Sequence, residues 1–112
     1  MTALSLQDCN AVITKQDTIT EAEISDYLIE LKQLWEHDAK TQSISRCFNF
    51  KNYYETMAFA NATAWVSHQQ NHHPDMHISY NQCTVIYTTH SIKDLSLNDF
   101  ICAARINEIA AS

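Results

Sequence analysis

Not one of the 112 residues is glycine. Every tight turn must therefore be closed by residues that carry a Cβ, for which left-handed backbone costs about 1–2 kcal/mol. The same absence removes whole classes of site. A Walker loop, a GxGxxG dinucleotide turn and a GxSxG nucleophile elbow each need glycine where the chain takes positive φ or lies against a phosphate. Nucleotide-dependent kinases, dinucleotide-binding dehydrogenases and α/β-hydrolases are excluded on that ground. Charge removes another class. Thirteen Asp and Glu against seven Lys and Arg give −6 with histidines neutral, the reverse of the basic surface that DNA or RNA binding requires.

The length suits one domain spanning residues 1–112, and 46% hydrophobic residues suffice for a core. No segment approaches the roughly 20 apolar residues of a membrane span, so no membrane partner is expected. The start, Met1 to Asp8, lacks the basic residues and apolar run of a signal peptide. Cys9, Cys47, Cys83 and Cys102 form no CxxC pair. The expectation is a cytoplasmic protein with reduced thiols, each cysteine buried as a small hydrophobe.

Patterning divides the chain into seven elements after an N-terminal arm over 1–19. Thr20 and Glu23 form a capping box, and Ile24, Leu28, Leu31 and Trp35 recur at helical spacing, predicting a helix over 21–34. Strands are predicted over 35–40 and 44–50, the second alternating Ile44, Arg46, Phe48 and Phe50 with polar residues. A helix follows over 51–70, with Tyr53, Met57, Ala60 and Ala64 as its core stripe, broadened by Ala58, Ala62 and Trp65. Asn71-His72-His73-Pro74 ends it, because proline disfavours helix in the residue before it. A hairpin over 76–80 and 83–90 turns at Asn81, and Ser96 with Asp99 begins a last helix to about 110. The order helix-strand-strand-helix-strand-strand-helix indicates an α+β fold, a four-stranded antiparallel sheet with three helices packed on one face.

Six residues are histidine, and three of them bracket the predicted hairpin. His72 and His73 stand where a helix gives way to a strand, and His90 ends a strand 17 residues after His73. Folding the hairpin back brings all three to one cleft. Imidazole gives and takes protons near neutral pH, so the cluster suits general acid–base chemistry. Two other readings stand beside it: unrelated surface histidines, and a zinc site. Zinc is the weaker, since HExxH spacing is absent and adjacent histidines rarely ligate one ion.

Asn71-His72-His73-Pro74-Asp75, Ser79-Tyr80-Asn81, Tyr87-Thr88-Thr89-His90 and Leu95-Ser96-x-x-Asp99-Phe100 together resemble the pterin-4a-carbinolamine dehydratase family, in its order and spacing. Trp35 and Phe48-Asn49-Phe50-Lys51-Asn52-Tyr53 extend the likeness, which covers roughly 22–109. The resemblance implies dehydration of 4a-hydroxytetrahydrobiopterin to quinonoid dihydropterin, in recycling of the tetrahydropterin left by an aromatic amino acid hydroxylase. It implies neither metal nor cofactor, and a homodimer or homotetramer. His72 and His90 are implied as the acid/base pair and His73 as the residue that binds and orients the pterin, together the catalytic set. Asn71, Thr88, Thr89 and Ser91 are implied ring contacts, and Trp35 an apolar wall or a core residue. Relatives of this fold also serve as assembly factors or dimerisation cofactors, an alternative that the alanines of 57–64 could serve.

Three departures from that pattern are visible. His68 stands where the family often has glutamate, and loss of that carboxylate is expected to move the pH optimum downward. Lys93-Asp94 replaces a double glycine, with Asp94 expected to accept the left-handed turn. Leu34 replaces a glycine before Trp35.

Overall fold

The structure, a computed structural model, describes residues 2–111. After two short 3-10 turns in the arm, Leu4–Leu6 and Lys15–Asp17, the elements are α1 (Glu21–Glu30), β1 (Glu36–Asp38), β2 (Ser43–Asn49), α2 (Tyr53–Gln70), β3 (Asp75–Ile78), β4 (Gln82–Tyr87) and α3 (Leu97–Ala111). This is the predicted order. The strands form one antiparallel sheet in the order β1-β2-β4-β3. Among the described residues no helix is long and apolar enough to cross a membrane.

Register assigns the two faces. Ile44 pairs with Tyr87 and Phe48 with Cys83, and the period of two puts these and Val85 on one side. That side is buried together with Phe59 and Ala60 of α2, Ile24 of α1, and Phe100, Ala103 and Ile106 of α3. Tyr27 of α1 packs against Phe100, 5.2 Å between ring centroids and tilted by 39°. The opposite side carries Ser45, Cys47, Asn49 and Thr84 and is largely open. The arm is drawn into the core at Leu4, whose amide donates to Glu30 Oε2 at 2.8 Å. Burying a side chain of that size contributes about 1.5–3 kcal/mol.

The capping box of α1 is present: Thr20 Oγ1 accepts from Glu23 N, and Glu23 Oε1 accepts from Thr20 N, an arrangement worth about 1 kcal/mol. The helix stops at Glu30, four residues short of its expected end. Lys32 and Gln33 take φ of 60° and 57°. Lys32 N donates to Ile29 O and Gln33 N to Leu28 O, the paired closure of a Schellman turn with lysine in the usual glycine place.

The core face of α2 also differs from the expectation. Thr56, Phe59, Ala60, Thr63 and Ser67 are buried, whereas Tyr53, Ala64 and Trp65 are exposed. Apolar residues lie all round this helix, so periodicity could not select a side. The buried hydroxyl of Thr56 donates within reach of Asn52 O and Tyr80 O. All four cysteines are free, and two depart from the expected burial: Cys47 is exposed and Cys9 half-buried.

Candidate active site

Two turns that would ordinarily use glycine place the histidines. At the end of α2, Asn71 adopts φ 50°, ψ 42°. Its amide donates to His68 O and the His72 amide to Ser67 O, both at 3.1 Å, so a Schellman turn fixes His72 directly beyond the helix. Pro74 then holds His73 away from helical geometry. After β4, Lys93 N donates to His90 O at 3.2 Å and Asp94 N reaches Thr89 O at 3.5 Å. Lys93, not Asp94, takes the positive φ, 53°. This second closure carries His90 and Ser91.

The two turns face one another. Asn71, His72, His73, Thr88, Thr89, His90 and Ser91 line a single cavity of about 220 Å³. That is smaller than the roughly 300–1,000 Å³ of sites for drug-sized ligands, and suits a compact ring. A larger groove of about 460 Å³, between the C-terminal ends of α1 and α3, contains no histidine.

Within the cavity His72 is the anchored ring. Its side chain is 11% exposed, and Nε2 lies 2.6 Å from Oδ1 of Asp99, whose side chain is fully buried. The ring stacks on Tyr87, 5.6 Å between centroids and 7° from parallel. The Tyr87 hydroxyl is paired with Ser67 Oγ at 2.8 Å, and burial pushes the phenol above its ordinary range, so it stays neutral.

Asp99 is satisfied on both oxygens. Oδ2 accepts from Thr89 Oγ1 at 2.8 Å and from Ser96 N at 3.0 Å. Because the single Thr89 hydroxyl proton goes to Asp99, the 2.7 Å contact between Thr89 and Ser96 is donated by Ser96 Oγ. The carboxylate also occupies the third position of α3, where the helix dipole favours negative charge. A carboxylate at Nε2 holds the proton on that nitrogen and leaves Nδ1 as the acceptor nitrogen of the neutral ring. His73 and His90 are exposed. The Thr88 hydroxyl donates to Gln42 O at 2.6 Å, which leaves its oxygen as an acceptor.

Trp35 alone of the implied site residues lies elsewhere. It is 3% exposed, its Nε1 donates to Asn107 Oδ1 at 2.8 Å, and its ring packs against Phe48 and Tyr87. It therefore lies behind Tyr87 rather than along the cavity wall. His68 is exposed beside Trp65, 6.1 Å between rings. The carboxylate beside His72 comes from Asp99, so the histidine at 68 does not leave His72 without one. From sequence, Asp99 is read only as a helix start and Tyr87 only as part of a motif, neither with a role in the site, and Ser67 is not read at all. The available signal was Ser96-x-x-Asp99, a capping spacing that places a carboxylate at the start of α3. Among the described residues no three His, Cys, Asp or Glu side chains converge as a metal site requires.

The pattern of the family described as pterin 4 alpha carbinolamine dehydratase matches residues 17–109. A protein of Nitrosomonas eutropha, provisionally named pterin-4-alpha-carbinolamine dehydratase, is 54% identical over 94 residues, covering 84% of this chain and 81% of the relative. A Nitrosospira multiformis protein with the same provisional name is 45% identical over 106 residues, covering 95% and 91%. The solved structure of a transcriptional coactivator/pterin dehydratase from Brucella melitensis superposes with a TM-score of 0.78 at 29% identity, covering 83% of this chain and 98% of that one. With nearly its whole length from the second 3-10 turn onward matching one family, and the paired histidines lodged in its cavity, the chain belongs to the pterin 4 alpha carbinolamine dehydratase family.

Proposed function

We propose that this protein dehydrates a 4a-hydroxytetrahydropterin to the quinonoid dihydropterin by proton transfer between histidines, returning tetrahydropterin spent by an aromatic amino acid hydroxylase to use. The observation that carries the reading is the convergence of His72, His73 and His90 on one small cavity with His72 held by Asp99. In the reaction the C4a–O bond breaks, a C4a=N5 double bond forms, the N5 proton leaves to a base and the departing oxygen takes a proton, giving water. His72, with Nδ1 facing substrate and Asp99 behind it, is the base. His90, across the cavity, is the acid, and His73 holds the ring. Each proton transfer contributes about 10²–10⁴-fold.

The test is decay of synthetic 4a-hydroxytetrahydropterin monitored with EDTA-treated protein. Acceleration is expected, and its loss in the double variant His72→Ala with His90→Ala. A double variant as fast as the native protein overturns the assignment. The activity is proposed for the cytoplasm, where thiols are kept reduced.

One observation favours an added role in self-association. Tyr54 and Trp65 on the outer side of α2 are 77% and 62% exposed, and aromatic side chains of that size favour interfaces. A homodimer or homotetramer joined through this face follows, checked by sedimentation equilibrium of native protein against Trp65→Glu.

A further inference from the structure

We propose that Cys9 and Cys102 form a reversible disulfide in response to peroxide, a modification site that fastens the N-terminal arm to α3. The two sulfurs are 3.6 Å apart and share a hydrogen bond, although the residues are 93 positions apart in sequence. A covalent S–S bond is about 2.05 Å, so closure needs an approach of roughly 1.5 Å. The arm can supply it. From Gln7 to Thr14 the chain has no regular secondary structure and is held by hydrogen bonds: Cys9 N to Gln70 Oε1 at 2.7 Å, Asn10 N to Asn98 Oδ1 at 3.0 Å, and Asn98 Nδ2 to Asn10 O at 3.0 Å. These bonds keep Cys9 over α3.

The two thiols differ in the way a peroxide-reactive pair requires. Cys9 is half-buried and reachable, whereas Cys102 is fully buried. A hydrogen bond from Cys102 holds the Cys9 thiol below its ordinary value against the opposing effects of burial and the Asp99 charge. Cys102 is pushed the other way, by that hydrogen bond to Cys9 and by burial, and keeps its proton. Cys9, the more accessible of the two, is the sulfur that peroxide meets first, and buried Cys102 is the resolving thiol.

The Cys9 thiolate attacks one oxygen of hydrogen peroxide, breaking the O–O bond and giving a sulfenic acid and hydroxide. The hydroxide takes a proton from solvent. The Cys102 sulfur then attacks the sulfenic sulfur, the S–S bond forms, the S–O bond breaks, and the leaving oxygen departs as water with the thiol proton. Two thiols lose two electrons in all, and one peroxide becomes two waters. Cys47 is exposed on the open sheet face and Cys83 is fully buried on the core face; neither has a sulfur partner of this kind.

The experiment uses the full chain carrying Cys47→Ser, treated folded with dilute hydrogen peroxide. Expected are a mass loss of about 2 Da, reversed by dithiothreitol, a non-reducing peptide map joining Cys9 to Cys102, and melting raised by roughly 10 °C over the reduced form. In the further variant Cys102→Ala, dimedone is expected to trap a sulfenic acid on Cys9. Should that variant not fold, Cys9→Ser in the same background must abolish the mass loss. Sulfinic acid on Cys9 with a free Cys102 thiol overturns the proposal, as does a crosslink that forms only after denaturation or joins other cysteines.

Discussion

His72 and Asp99, 27 residues apart in sequence, meet at 2.6 Å and join the end of α2 to the start of α3. Asp99 does not itself line the cavity; it is a positioning residue that acts through the imidazole. Asp99→Asn is expected to lower kcat about 10²-fold with KM little changed, because an amide no longer fixes the His72 tautomer. Nitrogen-15 shifts of His72 supply the check that a merely structural role would not move: the proton resides on Nε2 in the native protein and is redistributed in the variant. Unaltered shifts with unaltered kcat contradict this account.

Lys93→Gly is expected to stabilise the protein by about 1 kcal/mol, since only glycine takes φ of 53° without steric cost. The melting temperature should rise about 4 °C. Asp94→Gly, one residue on, should give no gain, because Asp94 does not take positive φ and its carboxylate accepts from Leu95 N at 2.7 Å. Calorimetry on the two variants distinguishes the positions.

Trp35→Phe separates a core residue from a cavity wall. Loss of the Nε1 bond to Asn107 is expected to cost about 1 kcal/mol in urea unfolding, while Asn107 Oδ1 keeps the Arg46 donor at 2.6 Å. KM for the pterin should stay at the native value. A raised KM with unchanged stability returns Trp35 to the cavity.

Alkaline pH should weaken the fold through Tyr87 and Cys102. Burial raises the Tyr87 phenol from an ordinary 10.0, while the Cys9 hydrogen bond and burial raise the Cys102 thiol from 9.0. For such groups the native state keeps protons that the unfolded chain gives up. Their stabilisation is therefore complete below the unfolded values and falls as pH rises past 9.0 and then 10.0. Urea midpoints measured from pH 7 upward should be level at first and then decline. Tyr87→Phe, though less stable through loss of the Ser67 contact, should decline less steeply above pH 10.

Most of the fold was legible because apolar spacing is strong where it matters. Ile24 to Leu31 predicted α1, and alternation from Cys83 to Tyr87 predicted β4. The end of α1 was not legible, since Lys32 and Gln33 are poor signals for a left-handed turn that glycine normally marks. The buried side of α2 was hidden by apolar residues all round it and by a core stripe that includes Thr56, Thr63 and Ser67. In the site, the residues lining the cavity lie in two short local stretches that sequence order reveals. The pairing of Asp99 with His72 was not legible, because it is set by how α3 docks against the end of α2, a tertiary relationship with no local spacing.

The double duty of Asp99 links catalysis to folding cooperativity. One carboxylate closes the first turn of α3 through Ser96, receives Thr89 from the end of β4, and orients His72 beyond α2. Fraying at any of these three junctions removes the imidazole support before the core itself is exposed. Heat-inactivation curves should therefore run at or slightly below the unfolding transition, making turnover a sensitive gauge of the integrity of this corner of the protein.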